Sequence, residues 1–215
     1  MNEIPDVIDP LEITRKLQRA VAAHQKFRDA PQIAGKAPNS EDMEKVGYPL
    51  RALLCVPKME GIGLQWAQKL LPLAMGDGLI ILAGNPGTGK TVIACWLGCR
   101  RLFAGKSPGK FLTAYELFGR MKQCWGKNED SETVLASWKK TPFLVIDEAQ
   151  TRAGTEWENN VLDELINARY AKMLPTVIIA NITMETAQKS LGPRIMDRAN
   201  ECGGIVDCNW KSYRQ

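Results

Sequence analysis

The stretch GNPGTGKT, Gly84 to Thr91, decides the fold of this chain. It satisfies the pattern G-x-x-x-x-G-K-[ST], and it stands between an apolar run, LIILA (79–83), and a segment of helical character, TVIACWLGCRRLF (91–103). A glycine-rich loop between a strand and a helix is the context in which this pattern forms a phosphate-binding loop. The residues between its two ends are Asn85, Pro86, Gly87, Thr88, Gly89 and Lys90.

Each residue type in this loop suits a nucleotide. Glycines let backbone N–H groups curl around phosphate oxygens, Lys90 would reach the β and γ phosphates of ATP, and Thr91 would offer its hydroxyl to Mg²⁺. A chance glycine-rich turn would match the full pattern in roughly one chain of this length per hundred. We therefore predict an ATP and Mg²⁺ site that includes all the loop residues from Gly84 to Thr91.

A second apolar run, FLVIDEAQ (143–150), ends in two acidic residues. Ionised carboxylates are rarely buried without a partner, so a buried strand that ends this way indicates a cation. Asp147 would bind the Mg²⁺ shell, and Glu148 would polarise the attacking water. The alternative is that both residues only cap the following loop.

A later run, TVIIAN (176–181), places Asn181 at the end of a third predicted strand. An asparagine after a strand is usually a turn former. Its position after the loop and the acidic strand favours a second interpretation, in which the amide donates a hydrogen bond to the γ-phosphate or to the lytic water.

Outward from these motifs, short apolar runs alternate with helical segments. Nearly continuous apolar strands between helices are typical of a parallel sheet covered on both faces, so we predict a three-layer α/β/α fold with five parallel strands. The five runs are LIILA (79–83), KFLTA (110–114), FLVID (143–147), TVIIAN (176–181) and GIVDC (204–208).

The start of the chain differs from the rest. Residues 9–27 have apolar positions at helical spacing, and a cluster of Pro, Gly, Asn and Ser over 29–42 indicates a linker. We predict two parts: a short N-terminal helical appendage and linker, 1–47, and an ATPase domain, 48–215. The appendage would either pack on the ATPase domain or offer its apolar stripe, which includes Leu17 and Phe27, to a partner.

Composition excludes several classes of protein. The chain has 215 residues, a net charge of +4 and six cysteines without a CxxC pair, which favours neither a zinc site nor a disulfide framework. No run approaches the ~18 apolar residues of a membrane-spanning helix, and the acidic N-terminus does not resemble a secretion signal. These features predict a cytoplasmic protein.

These motifs together resemble the AAA+ ATPases, and in particular the DnaC-type replicative helicase loaders and the related IstB-type transposition helpers. The resemblance covers residues from about 48 to 215. Its more specific motifs are LGPRIMDR (191–198) and NWKSYR (209–214). It implies ATP hydrolysis with Mg²⁺ and assembly with other subunits. It also implies a location in the bacterial cytosol, for a protein encoded by the cell or by a phage.

The segment SLGPRIMDRAN (190–200) carries two arginines four residues apart. By the resemblance, Arg198 matches the arginine that reaches the nucleotide of a neighbouring subunit, and Arg194 lies one turn earlier on the same helix face. Both would otherwise be solvated or paired with nearby acids such as Asp197. Arg214 matches a second phosphate-sensing arginine, although the helical lid that usually carries it is not predicted here.

The resemblance also implies binding of single-stranded DNA, for which aromatic faces beside cations are suited. Trp125 lies in a polar, glycine-containing stretch, and Trp157 follows the acidic strand. Both tryptophans, together with Arg152 and Thr155, match positions of DNA contacts in the loaders. The alternative for the two tryptophans is packing in the core or against a partner.

The function implied is ATP-dependent loading of a hexameric replicative helicase onto single-stranded DNA. A transposition helper with the same motor and a transposase as partner remains an alternative. A small-molecule P-loop kinase is disfavoured by Asp147, Glu148 and Asn181, because a kinase excludes water rather than activating it. A module that binds ATP without hydrolysing it is disfavoured by the intact Lys90, Thr91 and Glu148.

Overall fold

A computed structural model of the protein describes residues 40–124 and 130–213. The chain divides into two compact units, Met1–Gly35 and Lys36–Gln215. The predicted N-terminal helix, Trp125 and Arg214 lie outside the described residues. In the part described, no helix is long and apolar enough to span a membrane.

The second unit is built on a parallel sheet of five strands. In chain order these are β1 (Leu79–Gly84), β2 (Lys110–Thr113), β3 (Leu144–Asp147), β4 (Thr176–Ala180) and β5 (Ile205–Cys208). Their spatial order is β2-β3-β4-β1-β5, and every pair of neighbours is parallel. The predicted five-stranded parallel α/β fold is confirmed.

Nine α-helices surround this sheet in the described ranges. They are α1 (Ser40–Lys45), α2 (Leu50–Leu53), α3 (Gly61–Met75), α4 (Lys90–Phe103), α5 (Ala114–Cys124), α6 (Ser131–Lys140), α7 (Glu156–Ala171), α8 (Met184–Leu191) and α9 (Pro193–Glu201). Short 3₁₀ turns cover Val56–Lys58 and Ala149–Thr151. Strands and helices therefore alternate along the chain in the order that the apolar runs predicted.

The predicted linker over 29–42 is corrected at its end, because α1 begins at Ser40. Met43 on this helix is fully buried, and Phe111 at the edge of the sheet donates a backbone hydrogen bond of 2.9 Å to the Val46 carbonyl. Burial of Met43 and this backbone hydrogen bond attach the segment to the second unit. The division after residue 35 differs accordingly from the predicted boundary after residue 47.

The central strands form the core. β1, β3 and β4 are buried along their whole length, which is why they read as continuous apolar runs rather than alternating ones. One large apolar cluster joins the sheet to α5, α6, α7, α8 and α9. Since all five strands are parallel, their carboxyl ends share one edge of the sheet, where ligands of such folds bind.

Candidate nucleotide site

The phosphate-binding loop connects the end of β1 to the start of α4. Gly87 and Gly89 have φ of 85° and 86°, in the left-handed region that glycine adopts without steric cost. These residues turn the loop over the N-terminus of α4, where backbone N–H groups and the positive end of the helix dipole favour anions. The loop therefore has the geometry of a phosphate cradle.

Lys90 is almost fully buried in this loop. Its Nζ donates to the carbonyls of Gly84 at 3.0 Å and Asn85 at 2.7 Å, and to Thr88 Oγ1 at 3.3 Å. All three acceptors lie within six residues of Lys90 along the chain. The ammonium group is thus held inside the loop by local contacts, at the place where a β or γ phosphate would sit.

Asp147 and Thr91 meet across the end of the sheet. Thr91 Oγ1 donates to Asp147 Oδ2 at 2.8 Å, and the Glu148 backbone N–H donates to Asp147 Oδ1 at 2.7 Å. Burial raises the pKa of the Asp147 carboxyl above its usual range, and these two hydrogen bonds oppose that rise. A hydroxyl and a carboxylate are oxygen donors of the kind that Mg²⁺ prefers, so this pair fits the predicted metal.

Glu148 occupies a rare backbone conformation beside this pair. Its φ of 55° and ψ of 41° lie in the left-handed region, and the residue is exposed while its neighbours Asp147 and Ala149 are buried. Left-handed non-glycine residues cost conformational energy and cluster at functional sites. Here the conformation turns the chain sharply after β3, and the predicted catalytic carboxylate is left accessible to solvent.

A cavity of about 750 Å³ is lined by most of the predicted nucleotide residues, although Gly84 and Asn85 are not among its lining residues. It is lined by the loop from Pro86 to Thr91 together with Asp147, Glu148 and Asn181. The Asn181 backbone N–H donates to Gln150 Oε1 at 2.9 Å, which fixes this residue after β4. The structure therefore brings together the loop, the acidic pair and the asparagine, which are far apart in the sequence.

The opposite wall of the cavity was missed by the sequence interpretation. It comes from the segment that runs from Pro49 through α2 to the first turn of α3, and from the end of the described chain; its residues are Pro49, Arg51, Ala52, Cys55, Lys58, Met59, Glu60, Gly63 and Tyr213. Apart from Tyr213, which belongs to NWKSYR, none of these residues belongs to a motif with a recognisable spacing. Only their position around the loop marks them as part of the site.

The segment NWKSYR contacts the phosphate-binding loop directly. Trp210 Nε1 donates to the Thr88 carbonyl at 3.0 Å, and the Tyr213 backbone N–H donates to the Gly87 carbonyl at 2.9 Å. The Tyr213 hydroxyl accepts from the Gly63 N–H at 3.2 Å. This segment, which the resemblance singled out by its letters, therefore ties the loop to the N-terminus of α3.

The two arginines of SLGPRIMDRAN lie on α9, away from this cavity. Arg198 Nη1 donates to the Arg194 carbonyl at 3.1 Å, and its guanidinium lies 5.4 Å from the centre of the Tyr170 ring. Arg194 is exposed and lines an open surface depression with Asp197 and Ile205. Among the described residues that line the nucleotide cavity, neither arginine is present.

The predicted DNA residues that are described lie beyond β3, where each also has an internal contact. The Trp157 ring is half-buried, 5.9 Å from the Phe118 ring in an edge-to-face pair and 5.5 Å from Lys122 Nζ. The Thr155 hydroxyl caps α7 by accepting from the Glu158 N–H at 3.3 Å. Arg152 is partly buried: its Nη2 donates to the Ser190 carbonyl, and burial lowers its pKa.

The fold and the cavity define a P-loop nucleotide-binding protein. The sequence matches the family described as IstB-like ATP binding protein over residues 72–215. The chain belongs to this family. It is also 32% identical over 136 residues to the replicative helicase loader DnaC of Escherichia coli strain K12, a match that covers 62% of this chain and 55% of that protein. The predicted resemblance to DnaC-type loaders is confirmed.

Two solved structures show the same fold. A crystal structure of the DnaC helicase loader has a TM-score of 0.54 and 17% identity, with 84% of this chain and 97% of that chain covered. The replication initiator DnaA bound to AMPPCP and single-stranded DNA has a TM-score of 0.58 and 17% identity, with 70% and 48% covered. At these identities the likeness concerns the fold alone.

Proposed function

We propose that the protein is an ATPase that engages a hexameric replicative helicase and helps to place it on single-stranded DNA. The similarity to the Escherichia coli loader carries this proposal, together with a cavity in which Lys90, Asp147 and Glu148 are assembled. The match spans about half the length of that loader, so the helicase partner is a proposal for this chain.

The cavity supports hydrolysis by a division of tasks. Lys90 would neutralise the β and γ phosphates, and Thr91 with Asp147 would hold Mg²⁺, which supplies charge stabilisation at the phosphates when bound. Glu148 is exposed within the same cavity, so its carboxylate can orient and deprotonate a water. Asn181 would donate a hydrogen bond to that water or to the γ-phosphate.

The position of α9 supports an arginine supplied to a neighbour. Arg198 lies against Tyr170 and the Arg194 carbonyl rather than in its own cavity, so it would reach a nucleotide only across a subunit interface. In this arrangement hydrolysis depends on self-association. Arg194, exposed one turn earlier, would contribute to the same interface.

Mixing two inactive variants tests the trans arrangement. Arg198→Ala should bind ATP but lose up to about 10³- to 10⁵-fold in hydrolysis, and Lys90→Ala should lose ATP binding. A mixture contains interfaces with a sound arginine facing a sound cavity, so ATPase activity should reappear. If the mixture stays inactive although both variants assemble, or if Arg198→Ala alone cannot bind ATP, the trans role is wrong.

Single-stranded DNA is the proposed track. Trp157 keeps part of its ring accessible beside Lys122, and a base could stack there. A related fold, the DnaA initiator, has been captured with single-stranded DNA, which makes the ligand reasonable for this architecture. Trp125 and Thr155 would add contacts to the same strand.

The partner is tested by capture experiments with purified proteins. The wild-type chain should retain a replicative helicase when ATP is present, and Lys90→Ala, which should not bind ATP, should retain it less well. A transposase from an element of the IS21 type serves as the competing bait. Retention of the transposase alone would replace the loader role with the transposition helper role, and retention of neither would refute both.

A further inference from the structure

The exposed face of α5 carries a tyrosine that no motif singled out. Tyr115 is 77% exposed, which makes it the most exposed aromatic side chain in the described part of the chain. Gly119 and Lys122 follow it at four and seven residues, so all three lie on one side of the helix. A large aromatic ring turned to solvent lacks a role in folding, because its burial is what stabilises a protein.

Gly119 leaves a shallow notch between the ring and the lysine. A Cβ atom built at this glycine would meet nothing within 4 Å, so packing inside the chain does not require glycine here. Glycine in the middle of a helix is also less stable than alanine. The residue thus leaves room for close approach of a ligand along the roughly 10 Å that separate Tyr115 from Lys122.

The sheet topology makes this face continuous with the proposed DNA surface. β2 and β3 are neighbours, with Thr113 opposite Asp147, and α5 follows β2 as the Trp157 segment follows β3. Lys122 lies 5.5 Å from the Trp157 ring and donates to Glu158 Oε1 at 3.2 Å. Trp157 and Tyr115 therefore stand at the two ends of one surface, with Gly119 and Lys122 between them.

We propose that Tyr115 is a further single-stranded DNA contact, with a base stacked on its ring and the sugar-phosphate backbone crossing Gly119 toward Lys122. This proposal rests on the DNA-binding part of the proposed function. A single strand suits the surface because its bases expose their faces, whereas those of a duplex are stacked. A protein partner suits it less, since the cores of protein interfaces are depleted in lysine.

Fluorescence anisotropy with a labelled oligo-dT tests the proposal. Tyr115→Ala should weaken binding about 5-fold or more, and Tyr115→Phe should bind within 2-fold of wild type because the ring is kept. Gly119→Leu should weaken binding by filling the notch while the ring and the charge remain. Phe103→Ala is the matched control, because Phe103 is 51% exposed at the far end of α4, toward the opposite edge of the sheet.

The possible outcomes distinguish failure of the Tyr115 contact from failure of single-stranded DNA binding as a whole. If Trp157→Ala weakens binding and neither Tyr115→Ala nor Gly119→Leu does, single-stranded DNA binding stands and the role of Tyr115 is refuted. If Tyr115→Ala changes self-association by light scattering and leaves DNA affinity unchanged, the surface is a protein interface instead. If wild-type protein shows no affinity for the oligonucleotide, the DNA-binding part of the proposed function falls together with this extension.

Discussion

Two buried cations at opposite edges of the same sheet are held in different ways. At the carboxyl edge, Lys90 donates to acceptors of its own loop, none more than six residues away. At the amino edge, the fully buried Arg169 donates to four acceptors at or before the starts of β3 and β4: Thr176 Oγ1 and the carbonyls of Trp138, Thr141 and Pro175.

This difference distinguishes the amino edge, which has a structural role, from the carboxyl edge, which has a role in ligand binding. The planar guanidinium of Arg169 joins the end of α6 to the start of β4, so its contacts bind separate segments together. Burial lowers the pKa of Arg169 to about 9, because removing the charged guanidinium from water is unfavourable. The carbonyl and hydroxyl acceptors of Lys90 at Gly84, Asn85 and Thr88 belong to its own loop, so phosphate oxygens can replace them without parting distant segments.

Arg101 repeats the pattern of the amino edge. Its guanidinium donates to the carbonyls of Ala74 at 2.5 Å and Ser107 at 3.0 Å, and it stacks 4.9 Å from the Phe143 ring centre. These contacts join the segments before β1, β2 and β3. The amino edge of the sheet is thus closed by two arginines that backbone carbonyls satisfy.

The largest expected effect lies at the carboxyl edge and concerns activity alone. Glu148→Gln should lower ATP hydrolysis by about 10²- to 10⁴-fold, because the amide cannot accept the proton of the attacking water. ATP affinity and the melting temperature should stay near wild type, since the side chain is exposed. Phosphate release and titration with a fluorescent ATP analogue measure the two properties separately.

Lys90→Ala is the control for this prediction, because it should lose ATP binding itself. Normal turnover in Glu148→Gln would mean that another group polarises the water. A lower melting temperature in Glu148→Gln would show that the carboxyl edge also carries stability, and the contrast between the two edges would then fail.

The next effect lies at the amino edge and concerns stability. Arg169→Met should lower the free energy of unfolding by about 3 to 5 kcal/mol, because four acceptors lose their donor in the interior. Urea denaturation followed by circular dichroism gives this difference. Hydrolysis per folded molecule at low temperature should be unchanged, since Arg169 does not line the nucleotide cavity.

Arg169→Lys sharpens the result, because it keeps the charge and removes the planar fork. We expect a stability between those of wild type and Arg169→Met. If Arg169→Met unfolds at the wild-type urea concentration, the arginine does not hold the strand ends together.

The smallest effect comes from a matched pair of substitutions, one at each edge. Thr176→Val removes the acceptor of Arg169 Nε and should cost about 1 to 3 kcal/mol of stability with no effect on Mg²⁺ dependence. Thr91→Val removes the hydroxyl that contacts Asp147 and should weaken Mg²⁺-dependent ATP binding with little loss of stability. Identical responses of the two variants would erase the distinction between the edges.

Much of the fold and about half of the nucleotide cavity were predictable from local patterns. The predicted strand runs were correct to within one residue at every end, because apolar stretches of this length between helices are typical of buried parallel strands. The phosphate-binding loop and the acidic strand are recognisable in the sequence, because the loop conformation requires glycines and a bound Mg²⁺ requires carboxylates. Arg152 shows the limit, since nothing about its position in the chain indicates that its guanidinium also donates to Ser190.

By itself the sequence determined the parallel α/β fold, the loop from Gly84 to Thr91 and the acidic pair, since each depends on residues close together in the chain. Only the tertiary structure decided what surrounds them. Tyr213 meets Gly63 across 150 residues, and Trp210 meets Thr88 across 122. Contacts of such separation follow from strand order and packing, which no local spacing records, so the second wall of the cavity and the role of Arg169 emerged only once the chain was folded.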